Sequence, residues 1–252
     1  MPVRILPTGL DVPKTAIPPA ANAYRGHRER QRRRILKAAE QLFDEHGIDR
    51  VTMADITSAS GLRASTLYQY FSNKDDVVWA IVSEALEEST QRAKEKMDGA
   101  TTGLSMITAL LEFIADELSD NPAKVRFLAQ FDAMYARYWP AERLVTLEAQ
   151  INPQGFRYFS KLVRLGIADG SLRRDLDPDL TMHAVINAVI GAQRRLASLG
   201  SKVELEYGQP VDRLFRETIR VILIGLRSTD IAAAEPGKRP KARMSTAKKR
   251  SL

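Results

Sequence analysis

Apolar residues recur every three to four positions along most of this chain, and no stretch alternates as a half-buried strand does. One stripe joins Ile35, Ala39, Leu42 and Phe43, and it predicts a helix from about Arg28 to His46. Further helical stripes follow, and they are separated by breaks at Gly99 to Gly103, Asn121-Pro122, Trp139-Pro140, Asn152-Pro153 and Gly170. The pattern therefore predicts an all-α protein.

The segment 51–79 predicts two short helices joined by a tight turn. Thr52 suits an N-cap, Asp55 completes a capping box three residues later, and Gly61 suits the left-handed end of the first helix. The second helix, across Ser65–Phe71, turns a polar face outward. Two helices around a glycine-containing turn are the sequence form of a helix-turn-helix, whose second helix enters the DNA major groove.

Two helices near the end of the chain are apolar on more than one side. One begins at Asp177-Pro178 and the other spans about Val211–Leu226. Such helices need a second covering surface. They are either interior helices of a monomer or the interface of a homodimer, and a two-fold dimer would also explain half-site recognition. The residues predicted for the dimer interface are Ala184, Ala188, Ile190, Ala192, Ile219 and Ile222.

Composition narrows the class of protein. The 252 residues are 44% hydrophobic, which supports a real core, and no run of about 18 apolar residues predicts a membrane span. The N-terminus lacks the pattern of a secretory signal. There are no cysteines, which excludes disulfides and thiolate metal sites and is compatible with the reducing cytoplasm that we predict as the location.

The net charge of +7 is concentrated at the two ends of the chain. Residues 1–78 carry 12 basic and 9 acidic residues, residues 79–227 carry 19 and 20, and residues 228–252 carry 7 and 2. A polyanion partner fits this distribution, although basic ends can also be simply solubilising. Arg25 to Arg34 hold six arginines, and such an arm can lie along phosphates or enter a narrow minor groove.

Several short motifs resemble the TetR family of bacterial transcriptional regulators over about residues 34–82. They are Thr52-Met-Ala-Asp-Ile56, Gly61-Leu62, Thr66-Leu-Tyr68, Tyr70-Phe71 and Lys74. The resemblance implies an N-terminal three-helix helix-turn-helix head, a C-terminal helical ligand-binding and dimerisation domain, and a four-helix dimer interface built from the last two helices. It also implies a small-molecule effector that shifts the spacing of the two DNA heads, and repression by a dimer that occludes a promoter.

This reading divides the chain into four parts. They are a disordered N-terminal segment at 1–24, a helix-turn-helix DNA-binding domain at 25–78, a helical effector-binding and dimerisation domain at 79–227, and a disordered basic tail at 228–252. The expected partners are operator DNA, a small hydrophobic or aromatic effector and a second copy of the chain, with no membrane, cofactor or metal.

Hydroxyl, amide and basic side chains around the second short helix are the predicted DNA contacts. Tyr68, Tyr70, Lys74 and Thr52 would meet phosphates, which fixes position rather than sequence. The other predicted contacts are the arm residues Arg32 and Arg33 and the base-reading residues Arg63, Ala64, Ser65, Thr66 and Gln69. Arg63 departs from the family, which usually has Ser as the cap, because Arg is a poor N-cap. Either the cap interaction is given up or Arg63 points at DNA.

The middle of the chain is rich in aromatic residues. Each of them singly suits a core position, but the group can also line an apolar cavity between helices. His183 and Asn187 lie four apart in an apolar helix, and they can orient a ligand or pair across a dimer. The predicted effector contacts are Phe113, Phe127, Phe131, Met134, Tyr135, Tyr138, Phe159, His183 and Asn187.

Two other classes of protein compete with a specific regulator. An enzyme is disfavoured, because the three histidines have no metal-pair spacing and there is no nucleophile elbow, phosphate loop or dinucleotide turn. A non-specific nucleoid-type DNA-binding protein would suit the basic ends. The ratio of specific to non-specific DNA affinity separates these two DNA-binding classes.

Overall fold

The computed structural model describes residues 19–151 and 156–229, which confirm the all-α prediction. The only strand-like pairing in these ranges is a single antiparallel bridge between Leu172 and Arg227. The helices are α1 Pro19–His46, α2 Met53–Ser60, α3 Ala64–Tyr68, α4 Lys74–Met97, α5 Gly103–Asp120, α6 Pro122–Tyr138, α7 Ala141–Ile151, α8 Phe156–Ala168, α9 Pro178–Leu199, α10 Lys202–Tyr207 and α11 Val211–Leu226.

The first helix begins earlier than predicted. α1 starts at Pro19 rather than near Arg28, so the predicted disorder of 1–24 is wrong for residues 19–24, and the arginine run is helical. Straight-chain basic residues are good helix formers, so the run extends the helix that the apolar stripe begins. Residues 1–18 and 230–252, most of the two predicted disordered segments, lie outside the described residues.

Local capping fixes the two helices that follow. The Thr52 side chain accepts the Asp55 amide while the Asp55 carboxylate accepts the Thr52 amide, and Gly61 takes the left-handed conformation at φ 61°. The capping box and the glycine stop are confirmed. The Thr52 hydroxyl also donates to Asp55, and these hydrogen bonds from Thr52 hold the pKa of the carboxyl below its ordinary value. α3 is shorter than predicted, because it ends at Tyr68 and a turn carries Gln69 to Phe71.

The core of the head is closed by a helix from the other half of the chain. Ile35, Phe43 and Leu67 pack in one buried cluster with Phe127 and Phe131 of α6. Trp79 of α4 lies in the same cluster, so the predicted boundary between residues 78 and 79 falls inside a helix and beside shared core. The domain limits remain a prediction, but head and body do not have separate cores.

Polar contacts fasten α6 to the head. The Gln130 side chain accepts the Ile48 amide at 2.8 Å and donates to the Phe43 carbonyl at 3.4 Å. One helical turn before Gln130, Arg126 makes a bidentate ion pair with Asp44, with N···O distances of 2.8 and 2.9 Å. Bidentate pairs constrain orientation as well as distance. The head therefore sits on α6 in a defined pose.

A second core lies between α5, α8, α9 and α11. α5 and α8 cross where Gly103 meets Gly166, and a Cβ on Gly103 would lie 2.2 Å from the Gly166 nitrogen. The sequence pattern marks Gly103 only as part of a chain break and does not predict α10. No described helix is both long enough and apolar enough to cross a bilayer.

One buried carboxylate joins three helices. Glu117 of α5 is 5% exposed and pairs with Arg92 of α4 at 2.5 Å and with Lys124 of α6 at 2.6 Å. Two cations and the Ser89 hydroxyl compensate the buried charge, which would otherwise be costly. The Glu117 network holds the α4–α5–α6 corner together.

The glycine crossing predicts a large packing cost. Replacing Gly103 with Ala would force its methyl group into backbone atoms, so we expect Gly103→Ala to lower the free energy of unfolding by about 1–3 kcal/mol or more. Gly26→Ala is the matched control, because its Cβ meets only the flexible end of Arg30 at 3.3 Å. Chemical denaturation measures both variants. Equal stability of Gly103→Ala and the wild type would contradict the crossing geometry.

Candidate nucleic-acid interface

α3 presents a polar face to solvent and one apolar side chain to the core. Leu67 is fully buried, while Arg63, Ala64, Ser65 and Gln69 are exposed. Thr66 is partly buried, and Tyr68 is 55% exposed. Five of these side chains belong to the predicted base-reading set. Their types can recognise major-groove edges by hydrogen bonds and methyl contacts.

Arg63 occupies the N-cap position of α3 without acting as a cap. Its backbone is extended, at φ −74° and ψ 146°, and its side chain makes no capping hydrogen bond. Its guanidinium is exposed beside the positive end of the helix. The structure therefore agrees with the alternative in which the cap interaction is given up, and it leaves the side chain free to meet a polyanion.

A groove between α1 and α3 brings residues of α1 to the interface that the sequence pattern alone does not single out. It encloses about 560 Å³. The Tyr70 hydroxyl donates to the Gln31 side chain at 2.9 Å, and the Arg28 guanidinium lies 5.5 Å above the Tyr70 ring. Such a cation–π contact holds Arg28 over the groove. The sequence does contain a signal for these residues, because helical spacing places His27, Arg28 and Gln31 on one face of α1. The lining residues are His27, Arg28, Gln31, Thr66, Gln69 and Tyr70.

Three further predicted phosphate contacts, all of them basic residues, also have partners inside the protein. Lys74 donates to the Ile48 and Asp49 carbonyls at 2.7 and 3.2 Å, so its ammonium fastens the α1–α2 turn. Arg32 pairs with Glu84 and lies 6.0 Å from the centroid of the Phe71 ring. Nearby oxygens or rings already hold both cations, so a DNA phosphate would have to share them, and a phosphate contact by these two residues stays a prediction. Arg33 pairs loosely with Glu29 at 3.7 Å and keeps 75% of its side chain exposed.

The remaining predicted contact, Thr52, is exposed at the start of α2. Its hydroxyl belongs to the capping box, while the first turn of α2 presents backbone amides as helix N-termini do. Arg28 of α1 borders the same groove as Thr66 of α3. The arrangement can bind phosphates through α1 and the start of α2, and bases through α3.

A second candidate site is a cavity between α4, α6, α7 and α9, called here the interhelical cavity. Its volume is about 190 Å³. Most of its wall is aliphatic, with the Phe131 ring on the α6 side. Its lining residues are Val82, Leu86, Leu128, Phe131, Asp132, Leu144, Glu148, Ile186, Asn187, Ile190 and Arg194.

Only two of the nine predicted effector contacts, Phe131 and Asn187, line this cavity. Phe127 stacks on Phe43 at 6.0 Å, and Phe113 is buried in the second core under Arg92. These aromatic residues do not come together at the interhelical cavity, because helical spacing sends successive rings to different neighbours, and their role as effector contacts stays a prediction.

The other predicted effector contacts lie on several surfaces. Tyr135 stacks on Phe131 at 6.0 Å, and Phe159 packs against the second core. Met134 and Tyr138 line a separate pocket against the α1–α2 turn. His183 is exposed on α9, and its carbonyl accepts the Asn187 side-chain amide at 2.9 Å.

Three charged side chains reach the interhelical cavity. Arg194 pairs with Asp132, and burial lowers the pKa of Arg194 to about 10, so it still carries its proton at neutral pH. Burial raises the pKa of the Glu148 carboxyl. Within the described residues, Glu148 has neither a cation nor a hydrogen-bond donor to compensate its charge.

An apolar surface runs along α9 and α11, and is called here the α9–α11 face. Leu180 is 67%, Val221 58% and Ile224 54% exposed. Small exposed residues fill the remaining positions and would let another helix approach closely. The face consists of Leu180, Ala184, Ala188, Gly191, Val221, Ile224 and Gly225.

The predicted interface residues divide between this face and the interior. Ala184 and Ala188 lie on the face. Ile219 is 4% exposed within its own protomer and is not part of the face, so its role as an interface residue stays a prediction. Ile190 lines the interhelical cavity, while Ala192 and Ile222 are partly buried against the second core.

Comparison with known proteins connects this geometry to regulators. The family model described as bacterial regulatory proteins, tetR family, matches residues 35–81. The chain is 24% identical over 214 residues to the HTH-type transcriptional repressor KstR2 of Rhodococcus jostii, spanning 84% of this chain and 98% of that protein.

Two solved structures share the fold. The ketosteroid transcriptional regulator KstR2 of Mycobacterium tuberculosis matches with a TM-score of 0.58 at 20% identity, covering 78% of this chain and 95% of that one. The fatty acid degradation regulator FadR from Bacillus halodurans matches with a TM-score of 0.57 at 18% identity, covering 77% and 94%.

Because Arg63 makes no capping hydrogen bond, its replacement should change stability and DNA affinity in opposite directions. Arg63→Ser would supply a good N-cap, so we expect a gain of about 0.5–2 kcal/mol in the free energy of unfolding. The same change would remove a base-reading cation, so binding to the preferred duplex should weaken by about 1–3 kcal/mol. Chemical denaturation and a fluorescence titration at fixed salt measure the two effects.

The control for this variant is Arg174→Ser, which removes the same charge from the exposed α8–α9 turn. Arg174→Ser should leave the free energy of unfolding and the affinity for the preferred duplex nearly unchanged. DNA affinity of Arg63→Ser equal to that of the wild type would contradict a DNA contact at this position.

Proposed function

The chain belongs to the TetR family of bacterial regulatory proteins, and on that premise we propose that it is a homodimeric repressor released from its operator by a small hydrophobic effector. Like its relatives, it is a DNA-binding transcriptional regulator and not an enzyme. We assign it to the cytoplasm, because its target would be chromosomal DNA.

The exposed polar face of α3 carries the proposal of specific DNA binding. Its only buried side chain, Leu67, anchors the helix in the head and leaves the rest of the surface for a groove. Arg28 and Gln31 of α1 border the same groove, so phosphate and base contacts would be made side by side. Such a head reads one half-site.

The α9–α11 face supports the dimer. Its large side chains are more than half exposed, and they sit on two helices that pack against each other within the protomer. Pairing this face with its two-fold copy would bury both sets of apolar residues and make a four-helix interface. Two heads would then address two half-sites of one operator.

The position of α6 supports an effector-driven switch. One stretch of this helix lines the interhelical cavity through Leu128, Phe131 and Asp132. The same stretch holds the head through Arg126 and Gln130. An occupant that displaced α6 would therefore move the head, and coupling of about 1–3 kcal/mol is typical of such linked sites.

The small size of the interhelical cavity explains how a ligand would drive the conformational change. Its volume of about 190 Å³ is smaller than the ~300–1,000 Å³ of sites for drug-sized ligands. A larger occupant would need its walls to separate, and that strain would favour a conformation other than the described one. The mostly aliphatic wall suits an apolar ligand, and two regulators with the same fold are named for ketosteroids and for fatty acid degradation.

An operator titration tests the proposal against the nucleoid-type alternative. DNA selected from a random pool should bind at least about 10³-fold tighter than a scrambled duplex of equal length at physiological salt. Two protomers should bind each duplex. A ratio near one would favour non-specific DNA binding.

A variant of the α9–α11 face tests the proposed dimer interface in the same operator titration. Ala188→Glu would place a charge in the α9–α11 face, so we expect monomers by sedimentation and a selective loss of operator affinity. Ala136→Glu, at an exposed position of α6, is the control and should remain dimeric. A dimeric, operator-binding Ala188→Glu protein would contradict an interface at this face.

A further inference from the structure

The charges around the interhelical cavity constrain the chemistry of its occupant. Arg194 is already paired with Asp132, so this cation has little left to offer an added anion. Glu148 contributes a second carboxylate to the same wall. The described lining thus has one cation against two carboxylates, and the uncompensated group is negative.

Glu148 stands in a setting where an uncompensated charge is costly. It is partly buried on α7 beside aliphatic side chains, and it has no described hydrogen-bond donor. Burial disfavours its ionised form, and this cost would fall if a cation took up position next to the carboxylate. A carboxylate ligand would increase the excess of negative charge.

The rest of the wall fits the body of an organic cation. Leu86, Leu144 and Ile190 offer aliphatic contact, and the Phe131 ring offers a face to which a positive charge is attracted. Asn187 adds an amide that can accept a hydrogen bond from an ammonium group.

We propose that the effector is a small hydrophobic organic cation, such as a protonated amine on an apolar skeleton, whose positive charge pairs with Glu148. This inference rests on the proposed effector function and names the ligand class for that site. Glu148 is the residue that selects for charge, and the aliphatic wall binds the skeleton.

Three probes that share a skeleton but differ in charge test the proposal by calorimetry without DNA. They are 4-phenylbutylamine, 4-phenylbutanol and 4-phenylbutyrate. We expect the amine to bind at least about tenfold tighter than the alcohol, since it gains a charge-assisted hydrogen bond, and the carboxylate to bind most weakly. Equal affinities, a preference for the carboxylate, or no binding by any of the three would overturn the proposal.

Two substitutions of Glu148 test whether this residue causes the preference for the amine. Glu148→Gln keeps the shape of the side chain and should abolish the preference for the amine while leaving alcohol binding within about twofold. Glu148→Lys should reverse the preference towards the carboxylate. Glu142→Gln on the same helix is the control, because Glu142 is exposed and outside the cavity lining. An amine preference that persists in Glu148→Gln would overturn the assignment.

A parallel operator titration separates this inference from the proposed function. Glu148-dependent binding of the amine with unchanged operator affinity would support the ligand class at this cavity and contradict the effector switch. Operator release by the carboxylate, but not by the amine, would support the switch and overturn the cationic ligand class.

Discussion

The attachment of the head to α6 is the constraint on which the rest of this structure depends. Gln130 bonds to Phe43 in the last turn of α1 and to Ile48 just after that helix, and Arg126 holds Asp44 through two parallel hydrogen bonds. Phe127 adds a ring stacked on Phe43. Because polar and apolar contacts act on the same short stretch, the head cannot reorient without a movement of α6.

The corner at Glu117 gives this attachment its rigidity. Lys124 of α6 and Arg92 of α4 share that buried carboxylate, so both helices that enter the head are tied to α5. The second core and the α9–α11 face lie on the other side of α5 from the head. A change at the interhelical cavity therefore has a continuous packed route to the DNA-binding surface, and the coupling itself is a proposal.

Features encoded by a few neighbouring residues were predictable from the sequence. The Thr52–Asp55 capping box, the left-handed Gly61 and the limits of α11 follow from local side-chain and backbone preferences. The start of α1 was not predictable in the same way, because an arginine run suits both a solvated arm and a helix.

Features that depend on contacts distant in sequence were not predictable. Lys74 reaches carbonyls 25 and 26 residues away, and the pair of Arg32 with Glu84 spans 52 residues. The interhelical cavity draws on four helices, so no single stripe of apolar residues identifies it. Composition suggested a pocket of aromatic residues, but packing distributes those rings between two cores.

The distance between the two heads tests the central claim that a two-fold dimer presents them as one unit. The chain has no cysteine, so Gln41→Cys on the exposed side of α1 gives a single site for a spin label. Pulsed dipolar spectroscopy should detect two coupled labels per dimer, with one narrow distance distribution on operator DNA. Absence of dipolar coupling at protein concentrations that saturate the operator would contradict the account.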